Sequence, residues 1–508
     1  MFKGLIAKIK AVMQKMGLIK SIKSVTDIVD IPVTDDFYQY IENVWLPLYQ
    51  GYLQVYDGKP FHEVKFTTIG GGEQKRRMKS LRLPKTASEE MAKLIFNEKC
   101  KINISGEGTA EDIHNVLNDN NFYKMFQDHL EYMFALGGMI MKVYPEKDRT
   151  GAWKVKIAFV TADCFIPISY SNGRIDEGLF LSRFKRGNKW YTLLEWNKWD
   201  EDDRALFVVR NQLFQSNDEN EIGIPIALET LSEYKELEPE TYFEKLTRPL
   251  FVYTKPNIAN NIDLQSPLGI SLFANAIDDL HVLDTMYDSF HREFKLGKKR
   301  IIVPSTAINY VVDTKTGEQH RYFDVNDEAY EAMSFNDLEG QKIVDTSVEL
   351  RVDEHAKALQ TQLDIVAMKI GFSPGTFTFD GKGVKTATEV VSEDSKTYKS
   401  KNSHETIIEE SLKELIQTIY EVADTYGIFK KPEKIEVTVD FDDSIVEDRD
   451  SDSNYWLKLQ NNGNIPKWMA LQNILKIPEE EAKKIVEMVR EEQANEMPDI
   501  DTQFGGGA

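Results

Sequence analysis

The first 130 residues contain apolar positions that recur at helical spacing. The segments DDFYQYIENVWLPLYQGY (35–52) and SEEMAKLIFNE (88–98) repeat such positions every three or four residues, which is typical of helices with one buried face. Between them lie glycines at 70–72 and the basic residues Lys75, Arg76, Arg77 and Lys79, and we interpret this stretch as a solvated loop. The pattern predicts a helical shell from about 33 to 130.

From about residue 131 to about residue 225 the pattern changes to short β-rich runs. Segments such as GGMIMKVYP (137–145), KWYTLLEWNKW (189–199) and ALFVVRNQLF (205–214) are rich in β-branched and aromatic residues. The turn sequences SNGR (171–174) and RGNK (186–189) separate runs of this kind. We therefore predict a meander of antiparallel strands that ends in an acidic loop near residues 217–221.

Two helices with narrow apolar seams follow, and they bracket a short mixed segment. The seam positions of the first are Leu280, Leu283, Tyr287, Phe290 and Phe294, and those of the second are Leu359, Leu363, Val366 and Ile370. Residues 301–350 between them combine strand-like runs with turns, so the pattern predicts a helical hairpin that carries a compact insert. The first helix ends in a cationic cluster: Lys295, Lys298, Lys299 and Arg300. This cluster either complements the negative end of the helix dipole or faces a polyanion.

A helical pattern also runs from about residue 387 to about residue 426. Its middle, SEDSKTYKSKNSHET (392–406), is almost wholly polar, so we expect a kink or an exposed crossing there. The segment KIEVTVDFDD (434–443) alternates as a half-buried strand does. Two short helices and the tail DTQFGGGA (501–508) complete the chain.

The stretch DGKGVKTATEV (380–390) contains glycines and a Lys-Thr pair, as phosphate-binding loops do. The match fails because Lys382 is followed by glycine and Lys385 is preceded by Val384, where the phosphate-binding pattern requires Gly-Lys-Ser/Thr. Thr386 and Glu389 instead have the spacing of a capping box, in which the hydroxyl and the carboxylate each accept a backbone N–H at a helix start. We therefore interpret the stretch as a lysine-bearing loop followed by a helix cap.

Other catalytic and metal-binding patterns are also incomplete. The acidic run DRDSDSN (448–454) lacks the glycine and the final glutamate that a calcium loop requires, so we interpret it as a solvated acidic loop. The eight histidines show no HExxH spacing, and the sequence has no G-x-S-x-G motif. We predict no catalytic residues, no metal site and no cofactor.

Composition narrows the choice of partners. The 508 residues include 83 acidic and 62 basic ones, for a formal net charge of −21. Proteins that wrap nucleic acid need a basic surface, so this balance disfavours that class but permits a surface that DNA passes without adhering. The two cysteines, Cys100 and Cys164, fit neither a disulfide framework nor a zinc site, which indicates a reducing, intracellular origin.

Membrane insertion is not expected from the sequence. It has no apolar run of the length that crosses a bilayer, about 18 residues or more. The first 24 residues are basic and amphipathic, but lysines interrupt any signal-peptide core. Three alternatives stay open for this segment: docking on a partner subunit, disorder until assembly, or a helix on a membrane surface.

Five stretches of the chain together resemble the portal proteins of tailed bacteriophages, in particular of long-tailed phages that infect Gram-positive bacteria. They are KRRMKSLRLPKTASEEMAKLIFNEKCKI (75–102), VTADCFIPISYSNGRIDEGLF (160–180), LDTMYDSFHREFKLGKKRIIVP (283–304), GFSPGTFTFDGKGVKTATEVVSED (371–394) and VTVDFDDSIVEDRDSDSNYWLKLQNNGNIPKWMAL (437–471). The likeness covers nearly the whole chain and rests on the order of these stretches rather than on one sharp motif.

The resemblance implies an α+β portal fold that assembles into a ring. In this chain its parts would be the wing (1–274), the first stem helix (275–300), the clip (301–350), the second stem helix (351–375), the tunnel loop (376–386), the long kinked wing helix with its strand (387–460), and the crown with a flexible tail (461–508). The ring is usually a dodecamer, so twelve copies would carry about −250 charges, a field that repels DNA along most of the tunnel. Lys382 and Lys385 are then the best candidates for cations near DNA, followed by the cluster that begins at Lys295.

The resemblance also implies a function. The ring would occupy one capsid vertex, conduct double-stranded DNA during packaging and ejection, and dock the terminase large subunit and the head–tail adaptor. It would contact the major capsid and scaffolding proteins, assemble in the host cytoplasm and remain in the virion, without a membrane and without hydrolysing ATP itself. The alternatives are another structural or adaptor protein of the virion and a nucleotide-driven DNA motor, which the incomplete phosphate-binding loop disfavours.

Overall fold

The structure is a computed structural model. It describes residues 35–67, 72–105, 110–203, 205–297, 301–304, 310–312, 319–321, 330–333, 344–345, 349–378, 395–441, 449–475 and 479–496. The chain divides into two compact units. The first consists of Met1–Phe379 and Lys399–Phe441, and the second of Asp380–Tyr398 and Asp442–Ala508.

The α-helices of the described chain lie before residue 137 and after residue 276. In chain order they are α1 (Asp35–Tyr40), α2 (Leu46–Gln50), α3 (Leu83–Ile95), α4 (Ala110–Asp119), α5 (Phe122–Leu136), α6 (Ile277–Leu296), α7 (Val352–Lys369), α8 (Ser395–Thr425), α9 (Arg449–Asn461), α10 (Lys467–Leu475) and α11 (Glu479–Glu496). A π-helical turn, Ile41–Trp45, joins α1 to α2.

The strands lie mainly between α5 and α6. In chain order the strands are β1 (Val55–Tyr56), β2 (Lys59–Pro60), β3 (Glu63–Thr67), β4 (Glu73–Arg77), β5 (Lys101–Ser105), β6 (Met139–Lys147), β7 (Trp153–Thr161), β8 (Phe165–Ser171), β9 (Arg174–Arg186), β10 (Lys189–Trp199), β11 (Leu206–Ser216), β12 (Ile224–Ile226), β13 (Glu240–Glu244), β14 (Phe251–Thr254), β15 (Ile301–Pro304), β16 (Tyr310–Val312), β17 (Gln319–Arg321), β18 (Tyr330–Met333), β19 (Val344–Asp345) and β20 (Glu436–Asp440).

The largest sheet has six strands. In it β8, β9, β10 and β11 are successive antiparallel neighbours, and β12 and β13 both pair with β11. A second sheet places β6 between β7 and β14, again antiparallel. These pairings confirm that the strands predicted from the sequence form an antiparallel meander, but its predicted end near residues 217–221 is wrong, because β12, β13 and β14 follow that loop and join the two sheets. They also show that the meander is divided between two sheets.

The stretch predicted to be a helical shell contains α1 to α5 but also β1 to β5, so the helical prediction is wrong over these strands. The basic residues Lys75, Arg76 and Arg77 lie on β4, which forms an antiparallel hairpin with β3, rather than in a loop. Neither strand of this hairpin has a buried alternating face, so its sequence carried no strand signal. By contrast, β20 buries Val437 and Val439 alternately against β5, as its pattern predicted.

The first unit is organised around α5. Phe122, Phe126, Leu130 and Met133 of this helix are fully buried, at steps of three and four. Each such side chain contributes roughly 1.5–3 kcal/mol on burial. The helix ends at Gly137, where φ is +85° and a Cβ atom would lie 2.5 Å from the Gly269 carbonyl oxygen. Only glycine fits this close backbone approach.

The second unit contains α9, α10 and α11. Ala470 on α10 and Ala482 on α11 are buried, and the Lys483 ammonium lies 4.8 Å from the centre of the Trp468 ring. The two final helices agree with the sequence pattern. Helix α9, however, begins at Arg449 within the run interpreted as an acidic loop, so that interpretation is wrong for residues 449–454. Across the described residues, no helix combines the length and the apolar character that a membrane crossing requires.

Candidate functional site

Helices α6 and α7 form an antiparallel pair within the first unit. Near the start of α6, the Asp279 carboxylate forms an ion pair with the Lys369 ammonium at the end of α7. Near the end of α6, the Glu293 carboxylate accepts hydrogen bonds from Arg351, at 3.1 Å from Nε and 2.9 Å from Nη2. Opposite charges therefore hold the pair at both ends. The Arg351 guanidinium lowers the pKa of the Glu293 carboxyl to about 2.

The side chains of the apolar seam between the two helices become more exposed towards the end of α6. Leu280 and Leu283 are buried near the start of α6, and Leu359, Leu363 and Val366 are buried on α7. Farther along α6, Phe290 is half-buried, with its ring 5.7 Å from that of His355, and Phe294 is 46 % exposed. The seam predicted from the sequence thus packs within one chain at its start and reaches the surface at its end.

A buried polar group holds α6 against the rest of the first unit. Asp284 is 4 % exposed, although it is a carboxylate in the middle of a helix. It accepts the backbone N–H of Leu81 (2.7 Å) and lies 2.8 Å from His62 Nε2. The backbone N–H of Leu53 donates to His62 Nδ1 (2.8 Å), which assigns the His62 proton to Nε2 and its donation to Asp284.

One turn farther along α6, Asp288 is buried to the same degree. Its carboxylate accepts a forked pair of hydrogen bonds from Arg76, at 2.8 Å from Nη1 and 2.5 Å from Nη2, and a third from the Lys79 backbone N–H at 3.0 Å. Burial raises the pKa of the Asp288 carboxyl, but these hydrogen bonds outweigh burial and hold the pKa below its usual range. We call His62, Arg76, Asp284 and Asp288 the α6 anchor.

The α6 anchor was not predicted from the sequence. The interpretation of Arg76 as part of a solvated loop is wrong, because its guanidinium is committed to Asp288. A signal existed in the spacing of Leu280, Asp284 and Asp288, which places both acids on one helix face with an apolar residue. In a chain this acidic, that spacing alone does not distinguish buried acids from solvated ones.

Most of the cations expected near DNA lie outside the described residues. These are Lys298, Lys299, Arg300, Lys382 and Lys385, and the predicted cap residues Thr386 and Glu389 also lie outside them. Lys295 is described, and its side chain is exposed in the last turn of α6. Two hydrogen bonds hold the segment after α7 against that helix. The Gly375 N–H donates to Asp364 Oδ1 (2.9 Å), and Gln360 Nε2 donates to the Phe377 carbonyl (3.1 Å).

The polar segment of α8 differs from its prediction. The helix is continuous from Ser395 to Thr425, and Lys401, His404 and Glu405 are buried rather than exposed. Lys401 and Glu405 form an ion pair at 2.7 Å, which allows both charges to be buried. His404 Nδ1 accepts the Asn257 backbone N–H at 3.0 Å, and burial lowers the pKa of this imidazole to about 4. The partner of His404 comes from another segment and is invisible in the local pattern.

The described elements define an α+β protein of mixed helices and antiparallel sheets. Within the described ranges, no group of three or more His, Cys, Asp or Glu residues could hold a metal ion. Residues 35–495 match the family model described as "Phage portal protein, SPP1 Gp6-like". The chain therefore belongs to the phage portal protein family, which confirms the resemblance seen in the sequence. A search of curated proteins found no match.

Family membership assigns the general role. Phage portal proteins are structural rather than enzymatic components of the virion capsid, and the match to this family covers nearly the whole chain.

Proposed function

We propose that this protein forms a closed ring of twelve copies at one capsid vertex. The ring is the channel through which double-stranded DNA is packaged and later ejected, and the surface on which the terminase large subunit and the head–tail adaptor dock. Beside family membership, the anchored antiparallel pair α6–α7 is the main support for this proposal.

The α6–α7 pair suits the role of the two stem helices. Helix α6 has 20 residues and so spans about 30 Å. Ion pairs join α6 to α7 near both ends, and the α6 anchor ties the middle of α6 to the segment 76–81. Along the chain, residues 301–350 connect the end of α6 to the start of α7. We propose that they form the clip, which docks the terminase and the adaptor.

Exposed apolar side chains on the pair favour contact with neighbouring subunits. Val282, Phe294 and Leu296 on α6 are each more than 40 % exposed, and Met368 on α7 is 42 % exposed. Neighbouring copies arranged side by side in a ring would cover such side chains. Their position on the proposed stem supports a ring in which stems pack against one another.

The charge of the chain supports its role as a conduit. Twelve copies with a net charge of −21 would carry about −250 charges, so DNA would be repelled along most of the channel wall. We propose that Lys382 and Lys385 of the tunnel loop approach the duplex most closely, and that the cluster beginning at Lys295 follows. The ring would contact capsid and scaffolding proteins, assemble in the host cytoplasm and leave ATP hydrolysis to the terminase.

The tunnel loop provides the test of DNA passage. The variant Lys382→Glu/Lys385→Glu should form rings of normal mass, while packaged or retained DNA falls at least tenfold in an in vitro packaging assay. The matched control Lys235→Glu/Lys189→Glu makes the same charge change at two exposed lysines of the β-rich region. Normal packaging and retention by the loop variant would contradict the role proposed for the loop.

A further inference from the structure

A cavity of about 290 Å³ in the first unit is lined by cations. Its walls are formed by Gly51, Arg77, Met78, Lys79, Ser80 and Arg82. No carboxylate lines this basic pocket. Within the described part of the chain, no acidic side chain forms an ion pair with Arg77, Lys79 or Arg82. Three positively charged residues thus line one pocket with no acidic partner among the described residues, in a chain whose net charge is −21.

The neighbouring cations show that this lack of partners is specific to the pocket. On the same strand, Lys75 pairs with Glu63 at 3.1 Å and Arg76 pairs with Asp288. The next residue, Arg77, is directed instead to the pocket wall, where its Nη2 donates to the Gly51 carbonyl oxygen at 2.9 Å. Its guanidinium also lies 4.5 Å from the centre of the Tyr52 ring. These contacts hold the guanidinium in place and leave other N–H donors available.

Arg82, which also lines the pocket, has an uncommon backbone conformation. Its φ is +56°, and its backbone N–H donates to Ser80 Oγ at 3.0 Å. Gly51 packs against its side chain: a Cβ atom at position 51 would lie 2.6 Å from Arg82 Nε. A side chain at position 51 would therefore displace this guanidinium, so the glycine preserves the shape of the basic pocket.

We propose that the basic pocket binds a phosphate group of a nucleic-acid backbone. Two arginines and a lysine line one cavity, and their N–H donors suit the tetrahedral phosphate oxyanion. Contacts of this kind are independent of base sequence, as a DNA conduit requires. The inference rests on the proposed function for the presence of duplex DNA, and it adds a contact point separate from the tunnel loop.

The pocket is also connected to the α6 anchor. The backbone N–H groups of Lys79 and Leu81 donate to Asp288 and Asp284, and Lys79 is also one of the residues that line the pocket. A phosphate in the pocket would therefore bind to the segment that holds α6. Residues 79–81 would then take part both in binding DNA and in holding the proposed stem helix.

The test compares Lys79→Gln/Arg82→Gln with the control Arg149→Gln/Lys189→Gln, which makes the same charge change at exposed sites away from the pocket. Fluorescence anisotropy with two labelled 30-bp duplexes of unrelated sequence is measured on the assembled protein between 50 and 200 mM KCl. The pocket variant should bind both duplexes about tenfold more weakly at low salt, and the slope of log K against log salt should fall by about 2. Lys79→Gln alone, which keeps Arg82 in place, should lower the slope by about 1.

Other outcomes would overturn the inference. Unchanged duplex binding by both pocket variants would remove the site. If the pocket variants bind the duplex as wild type does but no longer form rings in mass photometry, the pocket binds a carboxylate of a second copy instead of DNA. If inorganic phosphate alone stabilises wild type but not the pocket variants, and duplex binding is unchanged, the ligand is free phosphate. Rings of normal mass in any failed test would leave the proposed function standing, whereas a wild type without rings would contradict that function itself.

Discussion

Lys75 and Arg76 are neighbours on β4 whose ion pairs differ in burial, and they offer a matched test of how α6 is held. The Arg76 side chain is 26 % exposed and that of Asp288 is 6 % exposed, whereas the Lys75 side chain is 60 % exposed in its pair with Glu63. Breaking a fully buried pair costs about 3–5 kcal/mol, and an exposed pair contributes about 0–1 kcal/mol. Because Arg76 is partly solvated, we expect Arg76→Ala to cost about 2–3 kcal/mol and Lys75→Ala less than about 0.5 kcal/mol.

Hydrogen exchange of α6 is the suitable assay, because it reports the local stability of this helix, whereas an unfolding transition reports on the chain as a whole. A cost of about 2–3 kcal/mol corresponds to a roughly 30- to 150-fold faster exchange of the α6 amides whose protection depends on this anchor. Asp288→Ala and the double variant complete a cycle in which the two single effects should not add, since both remove one interaction. Equal protection of α6 in Arg76→Ala, Lys75→Ala and wild type would refute the anchoring role.

Two further predictions concern stability. The pKa of His404 is lowered to about 4 in the folded state, so the unfolded chain binds more protons below about pH 6.5 and stability should fall as the pH decreases from about 6.5 to about 4. The free energy of unfolding should be about 2 kcal/mol lower at pH 5 than at neutral pH. His404→Asn should flatten that part of a pH–stability curve measured by thermal unfolding. A curve that the substitution leaves unchanged would contradict the assignment of this pH dependence to His404. Gly137→Ala should destabilise by more than about 3 kcal/mol because of the close Gly269 carbonyl, whereas Gly151→Ala, with φ of +92° and no atom within 4 Å, should cost only about 1 kcal/mol. Equal losses in a chemical denaturation series would show that backbone strain, not the contact, decides the effect.

The regular elements of this fold were largely accessible from the sequence. Leu280 and Leu283 on α6, and Leu359 and Leu363 on α7, follow a helical period because their contacts lie along one face. The antiparallel meander was predictable for the same reason, since strand alternation and turn residues are local signals.

The sequence did not reveal which polar side chains are buried by partners that lie far away along the chain. Asp284 is buried because His62 and the Leu81 N–H satisfy its carboxylate, and neither lies near it in sequence. His404 is buried on α8, where it accepts the Asn257 backbone N–H, in a segment whose polar composition predicted exposure. The basic pocket depends likewise on the approach of Gly51 to Arg82, a tertiary contact that the run of basic residues does not encode. In each case the decisive partner comes from another element.

The proposed function requires that copies of this chain close into a ring. Mass photometry of the purified protein at micromolar concentration, read together with negative-stain class averages, tests it directly. Twelve copies of a 58.4 kDa chain should give a species of about 700 kDa, with closed rings and a central hole in the images. A mass that remains at 58.4 kDa, or open chains without closure, would contradict the portal ring proposed for this protein.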